Sequence, residues 1–155
     1  MTKLGDLMKI RNLSEDDIIT IIKVTESYED LLVERSSIYW LFWKFFKDTC
    51  LVALEENQLI GYLLGFISQT EPICGYIHMI GVNKNYRRKR IGTTLINYFE
   101  EIVASKGAKF IYLTTNLENV GAIEFYKEIG FNDINKIYKV GSERLEFWRK
   151  ISSYI

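Results

Sequence analysis

The run Arg87-Arg88-Lys89-Arg90-Ile91-Gly92-Thr93 carries the clearest chemical signal in this chain. It lies between an expected strand and the start of an expected helix. The first amides of a helix have no intrahelical acceptor and sit at the positive end of its dipole, so they form an anion site. Gly92 lets the backbone approach a phosphate closely. Lys84, Arg87, Arg88, Lys89 and Arg90 add five positive charges nearby. A pyrophosphate ligand fits this arrangement. A solvated basic turn and a patch that touches nucleic acid are the competing readings. No basic stripe extends beyond the turn, and Lys+Arg and Asp+Glu balance at 20 each, which argues against nucleic acid.

The elements that must hold this segment follow from hydrophobic spacing. Met8 to Leu13 reads as a strand, and Ser14 with Asp17 as the cap of a helix carrying Ile18, Ile21, Ile22 and Thr25. Glu34 to Lys47 reads as a second helix, apolar around most of its circumference. Thr49 to Leu54 and Leu59 to Ser68 form an expected hairpin around Glu56-Asn57-Gln58. Tyr76 to Val82 is a strand, Ile91 to Lys106 an amphipathic helix closed by Gly107, and Phe110 to Thr115 a buried-type strand. That strand–helix–strand unit predicts a parallel pair. A helix over Asn119 to Ile129 ends at Gly130, and Phe131 to Val140 with Glu143 to Lys150 form a last hairpin around Gly141-Ser142. The expected class is α/β: a mixed, mostly antiparallel sheet with a central parallel βαβ unit and helices on both faces.

The totals bound the rest. At 155 residues, 48% hydrophobic and 26% charged, the chain is expected to be one globular domain, residues 1–155. Cys50 and Cys74 form no CxxC pair and have one histidine for company, so no metal site is expected. Met1 to Lys9 lacks a signal-peptide core, and no apolar run approaches the ~18 residues a bilayer needs. A cytoplasmic location is therefore expected, with neither membrane nor nucleic acid as partner.

Two segments resemble a known family. Ile80-Gly81-Val82-Asn83-Lys84-Asn85-Tyr86-Arg87-Arg88-Lys89-Arg90-Ile91-Gly92 is similar to the central motif of the GNAT superfamily of acyl-CoA N-acyltransferases. That motif is a strand ending in valine, then a (Gln/Arg)-x-x-Gly-x-(Gly/Ala) turn opening a helix. Asn119-Val120-Gly121-Ala122-Ile123-Glu124-Phe125-Tyr126-Lys127-Glu128-Ile129-Gly130-Phe131 resembles the family's Asn-x-x-Ala…Tyr…Gly-Phe signature. The resemblance implies acetyl-CoA as acyl donor. It implies that Ile80, Gly81 and Val82 pair with the pantetheine arm like an added strand. It implies that the turn from Arg87 through Arg88, Lys89, Arg90, Ile91, Gly92 and Thr93 holds the pyrophosphate. Asn119, with Ala122 in the same motif, would contact the pantetheine or diphosphate, and Tyr126 would lie near the thioester sulfur. Two positions depart from the pattern. Arg90 stands where the family usually has glycine, which costs on the order of 1 kcal/mol if φ must be positive. Lys84 stands where the family often has proline.

Amine acetylation needs a neutral amine, a proton for the departing thiolate and a donor for the oxyanion. Tyr126 is the candidate acid, against a packing tyrosine. His78 is the candidate base: it is the sole histidine, its reference pKa near ~6.5 suits the task, and several family members carry an activating glutamate there. The competing reading is a core histidine bonded to a carbonyl. Strand parity groups His78 with Tyr76, Ile80 and Val82. The Ile80 amide would serve the oxyanion, by resemblance. Glu26, Glu29, Asp30 and Glu34 form an acidic cluster that could attract an amine, and Tyr39, Trp40 and Trp43 could wall a groove. The segment from Ile38-Tyr39-Trp40-Leu41 to Asp48-Thr49-Cys50-Leu51-Val52-Ala53 faintly resembles diaminobutyrate acetyltransferases. The expected reaction is direct acetyl transfer in a ternary complex to a primary amine of a small molecule. A peptide N-terminal acetyltransferase and a non-catalytic acyl-CoA sensor are the alternatives. The acceptor, the acyl preference and the oligomeric state, a homodimer included, are left open.

Overall fold

The computed structural model describes residues 8–25, 37–140 and 142–151. The elements are β1 (Met8–Asn12), α1 (Glu15–Thr25), α2 (Ser37–Phe46), β2 (Leu51–Glu55), β3 (Gln58–Ile67), β4 (Cys74–Val82), α3 (Ile91–Ser105), β5 (Phe110–Asn116), α4 (Val120–Glu128), β6 (Asn132–Val140) and β7 (Ser142–Lys150). The strands form one seven-stranded sheet in the order β1-β2-β3-β4-β5-β7-β6. Only β4 and β5 run parallel, bridged by α3; the other pairs are antiparallel. The mixed α/β expectation holds, with boundary shifts of one or two residues; the expected start of the second helix at Glu34 lies outside the described residues. The β2–β3 turn is the two-residue Glu56-Asn57, both at positive φ, which matches the twist of a tight hairpin.

Alternation along the strands sorts side chains into two cores. Leu51, Ala53, Ile60, Leu63 and Ile77 face α3 and pack with Leu95, Ile96, Phe99 and Val103. Tyr126 of α4 belongs to that same core. Val52, Leu54, Tyr62 and Leu64 face α1 and α2, against Ile18, Ile21, Tyr39 and Phe42. α3 lies close on the sheet because β3 and β4 are glycine where it crosses. A Cβ on Gly65 would sit 2.6 Å from the Phe99 ring and 2.8 Å from the Tyr76 carbonyl.

One expectation about side-chain direction fails. Leu64 pairs with Met79 and Gly65 pairs with Ile77, so His78 is an extra residue in β4, a β-bulge. The bulge reverses parity. Tyr76 and His78 face α2, through Phe66 and Phe42, whereas Ile80 and Val82 pack on the α3 side. The Gly65 carbonyl beside the bulge is held by Thr49 Oγ1 at 2.6 Å and Cys50 Sγ at 3.4 Å. Burial pushes the Cys50 thiol up to about 12, so it is a structural group rather than a nucleophile.

Candidate active site

The bulge sits where the parallel pair opens. β4 and β5 pair only from Cys74 to Ile77 against Phe110 to Leu113. Beyond that point β4 runs on to Val82 and β5 to Asn116 without a strand between them. The β5-facing edge of His78 to Val82 therefore offers backbone groups that an extended chain can take up. An arm with amide groups, such as pantetheine, fits this wedge. The residues expected to receive it, Ile80, Gly81 and Val82, line it.

At the mouth of the wedge the chain turns into α3. Arg88 and Arg90 both take left-handed conformations, at φ 64° and 63°. Arg90 is the residue before the helix, and no side chain caps the first turn of α3. The amides of Ile91, Gly92 and Thr93 thus precede the first intrahelical donor found here, Thr94 N to Arg90 O at 3.0 Å. Gly92 keeps this turn close to α4, since a Cβ there would meet Phe125 at 3.2 Å. Arg88, Lys89 and Arg90 are exposed, while Arg87 folds back so that Nε donates to Val82 O at 3.4 Å. Asn119 Oδ1 accepts from Ala122 N at 3.1 Å and so caps α4, which leaves its NH2 for a ligand. Charge, amides and small residues together suit a pyrophosphate.

The two expected catalytic side chains lie on opposite faces of the split sheet. Tyr126 is buried on the α3 side among Phe125, Phe131 and Phe147. Burial pushes its phenol up to about 12, with Arg144 pulling the other way, so it keeps its proton across the neutral range. His78 stacks on Phe42, ring centroids 5.1 Å apart, and its Nε2 is sealed from solvent.

The side of the sheet that carries His78 also gathers residues the sequence reading missed. Tyr76 Oη lies 3.3 Å from Thr114 Oγ1. Arg144 donates from Nε to Thr114 Oγ1 at 2.9 Å and from Nη2 to Thr114 O at 3.0 Å. Glu146 pairs across the ladder with Thr114, between the core residues Leu145 and Phe147. Its signal was there: polar or charged residues at alternate positions of otherwise buried strands. The expected groove residues divide. Tyr39 is core, Trp40 is exposed with its ring edge-on to Trp43, and Phe42 of the same helix is the one that reaches His78. Glu26, Glu29, Asp30 and Glu34 lie outside the described residues. Among the described residues no His, Cys, Asp and Glu group could hold a metal ion. No described helix is long and apolar enough to cross a membrane.

A sheet opened between its parallel pair, with uncapped helix-start amides and a basic turn at the mouth, is the arrangement expected of an acyl-CoA-dependent acyltransferase. Residues 15–131 match the acetyltransferase (GNAT) family, and the chain belongs to that family. It is an acetyltransferase that uses acetyl-CoA. The chain is 31% identical to N-alpha-acetyltransferase 30 of Dictyostelium discoideum, over 88% of this chain and 74% of that protein. Its fold is similar to Ard1 from Thermoplasma volcanium, with TM-score 0.83 and 20% identity, covering 95% and 99% of the two chains. It is also similar to a diaminobutyrate acetyltransferase from Paenibacillus lautus bound to L-2,4-diaminobutyric acid and coenzyme A. That TM-score is 0.76 at 18% identity, covering 96% and 98% of the two chains.

Proposed function

We propose that the protein transfers the acetyl group of acetyl-CoA to a primary amine of a small molecule, by direct attack in a ternary complex. The observation that carries this reading is the placement of Tyr126 and His78 on opposite faces of the opening between β4 and β5. Nucleophile and leaving group sit on different sides of a carbonyl under attack, so a base and an acid that approach from two faces suit the reaction. Acetyl-CoA supplies the acyl group and a thiolate leaving group. The turn from Arg87 to Thr93 holds the pyrophosphate, and the β4 edge at Ile80, Gly81 and Val82 orients the arm. Asn119 and Ala122, at the start of α4, flank that arm. His78 takes the proton of the incoming ammonium, whose reference pKa near ~10 keeps it charged at neutrality. Tyr126 holds a proton for the thiolate. The Phe42, Phe46 and Phe66 rings beside Tyr76 and His78 form an aromatic wall, which favours a compact acceptor.

The second reading is the amino group of a peptide N-terminus, favoured by the identity to N-alpha-acetyltransferase 30. Thiol release from acetyl-CoA against diamines, diamino acids, polyamines and short peptides, with an amine-free control, separates the two. Turnover with small amines and none with peptides supports the proposal. The reverse pattern establishes the second reading. Coenzyme A binding without turnover on any amine would point to an acyl-CoA sensor instead.

A further inference from the structure

The Oε2 atom of Glu146 is buried and accepts no hydrogen bond among the described residues. A buried carboxylate oxygen without a donor is costly, because that atom has lost water and gained no hydrogen bond in return. The nearest cation along the strand does not correct this. Arg144, two residues away on the same side of β7, directs Nε and Nη2 to Thr114 instead. The carboxylate is felt locally: burial raises the Tyr112 phenol, and the charges of Cys74 and Glu146 raise it further. Its position is also specific. Glu146 is level with Thr114, the first residue of β5 past the last β4–β5 pair, on the side that carries Tyr76 and His78.

We propose that Glu146 is the ammonium-recognising residue of the acceptor site, a counter-ion that selects amines entering as cations. An ammonium brings N–H donors and a full positive charge to a carboxylate beside the opening whose Oε2 has no donor among the described residues. Glu146 is thus a specificity-determining residue, while proton removal stays with His78. The inference rests on the amine-acetyltransferase reading, and it predicts the charge of the acceptor rather than its skeleton.

The test is Glu146→Gln beside Glu146→Asp, with kinetics on the best amine of the panel. Thermal shifts with putrescine, L-2,4-diaminobutyrate and a free-N-terminus tripeptide, each in the presence of coenzyme A, accompany the kinetics. Glu146→Gln should raise the KM for the amine tenfold or more and leave the KM for acetyl-CoA unchanged. It should abolish the amine-induced thermal shift, and the melting temperature without amine should stay level or rise, since a buried carboxylate oxygen without a donor is removed. Glu146→Asp, which keeps the charge, should recover part of the amine affinity. An amine KM within twofold of wild type in Glu146→Gln overturns the proposal. So does a lower melting temperature joined to lost coenzyme A binding, which would make Glu146 structural. If the wild type turns over no amine, the acetyltransfer reading fails on its own, and the thermal shifts still report whether Glu146 binds the ammonium.

Discussion

Tyr126 shows how one side chain can be ready for a reaction before any ligand arrives. Its phenol is enclosed by three aromatic rings and pushed up to about 12, so it keeps its proton across the neutral range, as the proposed acid role requires. Tyr126→Phe should lower turnover on the order of 100-fold or more while sparing acetyl-CoA affinity, because a general acid acts only once the thiolate forms. Steady-state kinetics paired with coenzyme A titration checks this, and unchanged turnover removes Tyr126 from the acid role. Arg90 is the opposite case, a residue whose backbone opposes its type. It holds φ 63° where an L side chain is disfavoured, and its side chain is exposed. Arg90→Gly should raise stability by about 1 kcal/mol. Urea denaturation midpoints measure that gain, and a midpoint that falls would mean the guanidinium stabilises the loop by more than the strain costs. Lys84, the other departure from the family pattern, opens a single 3-10 turn under an Asn83 cap, a place where lysine meets no such conflict.

At the level of elements, α1 is held by its own N-terminus. Ser14 N donates to Asp17 Oδ2 at 2.7 Å, and Arg11 grips the same carboxylate from β1 at 2.6 and 3.0 Å. Burial pushes the Asp17 carboxyl up, but the Arg11 and Ser14 bonds outweigh it and hold the group below the usual range. A lowered folded-state value means stability present above the unfolded value near ~3.9, lost as pH falls through the folded one. Asp17→Asn should therefore cost about 1 kcal/mol at pH 7. The gap between wild type and variant should close as pH falls below ~4. Thermal melts across pH 2.5 to 7 test this; a gap independent of pH would locate the effect elsewhere. The capping pair was legible in the sequence because Ser14 and Asp17 are three apart. The Arg11 bond was not, since it joins a strand to a helix. Elsewhere, Arg149 ties β7 to Glu100 of α3 and to the Ile129 carbonyl at 3.0 Å, which anchors the residue that ends α4.

At the scale of the whole molecule, the decisive feature is a sheet that is continuous at one end of β4 and β5 and open at the other. The two ends of the proposed reaction are thereby assigned to different faces. His78→Ala should flatten the rise of the pH–rate profile near neutrality, because its imidazole has a reference value near ~6.5. Coenzyme A affinity should stay unchanged, since the turn proposed to hold the pyrophosphate, Arg87 to Thr93, lies beyond the end of β4. A profile that keeps its shape would leave His78 as a packing partner of Phe42. By itself the sequence determined the order of elements, the parallel unit, the basic turn that opens α3 and the motif from Asn119 to Phe131, because spacing, glycines and charge are local properties that periodicity records. It did not determine which way His78 points. A bulge is defined only against a neighbouring strand, and one extra residue reverses every side chain beyond it. Nor did it bring Glu146, Thr114 and Tyr76 together: these lie on three different strands, and only the register of the folded sheet decides that they share one face.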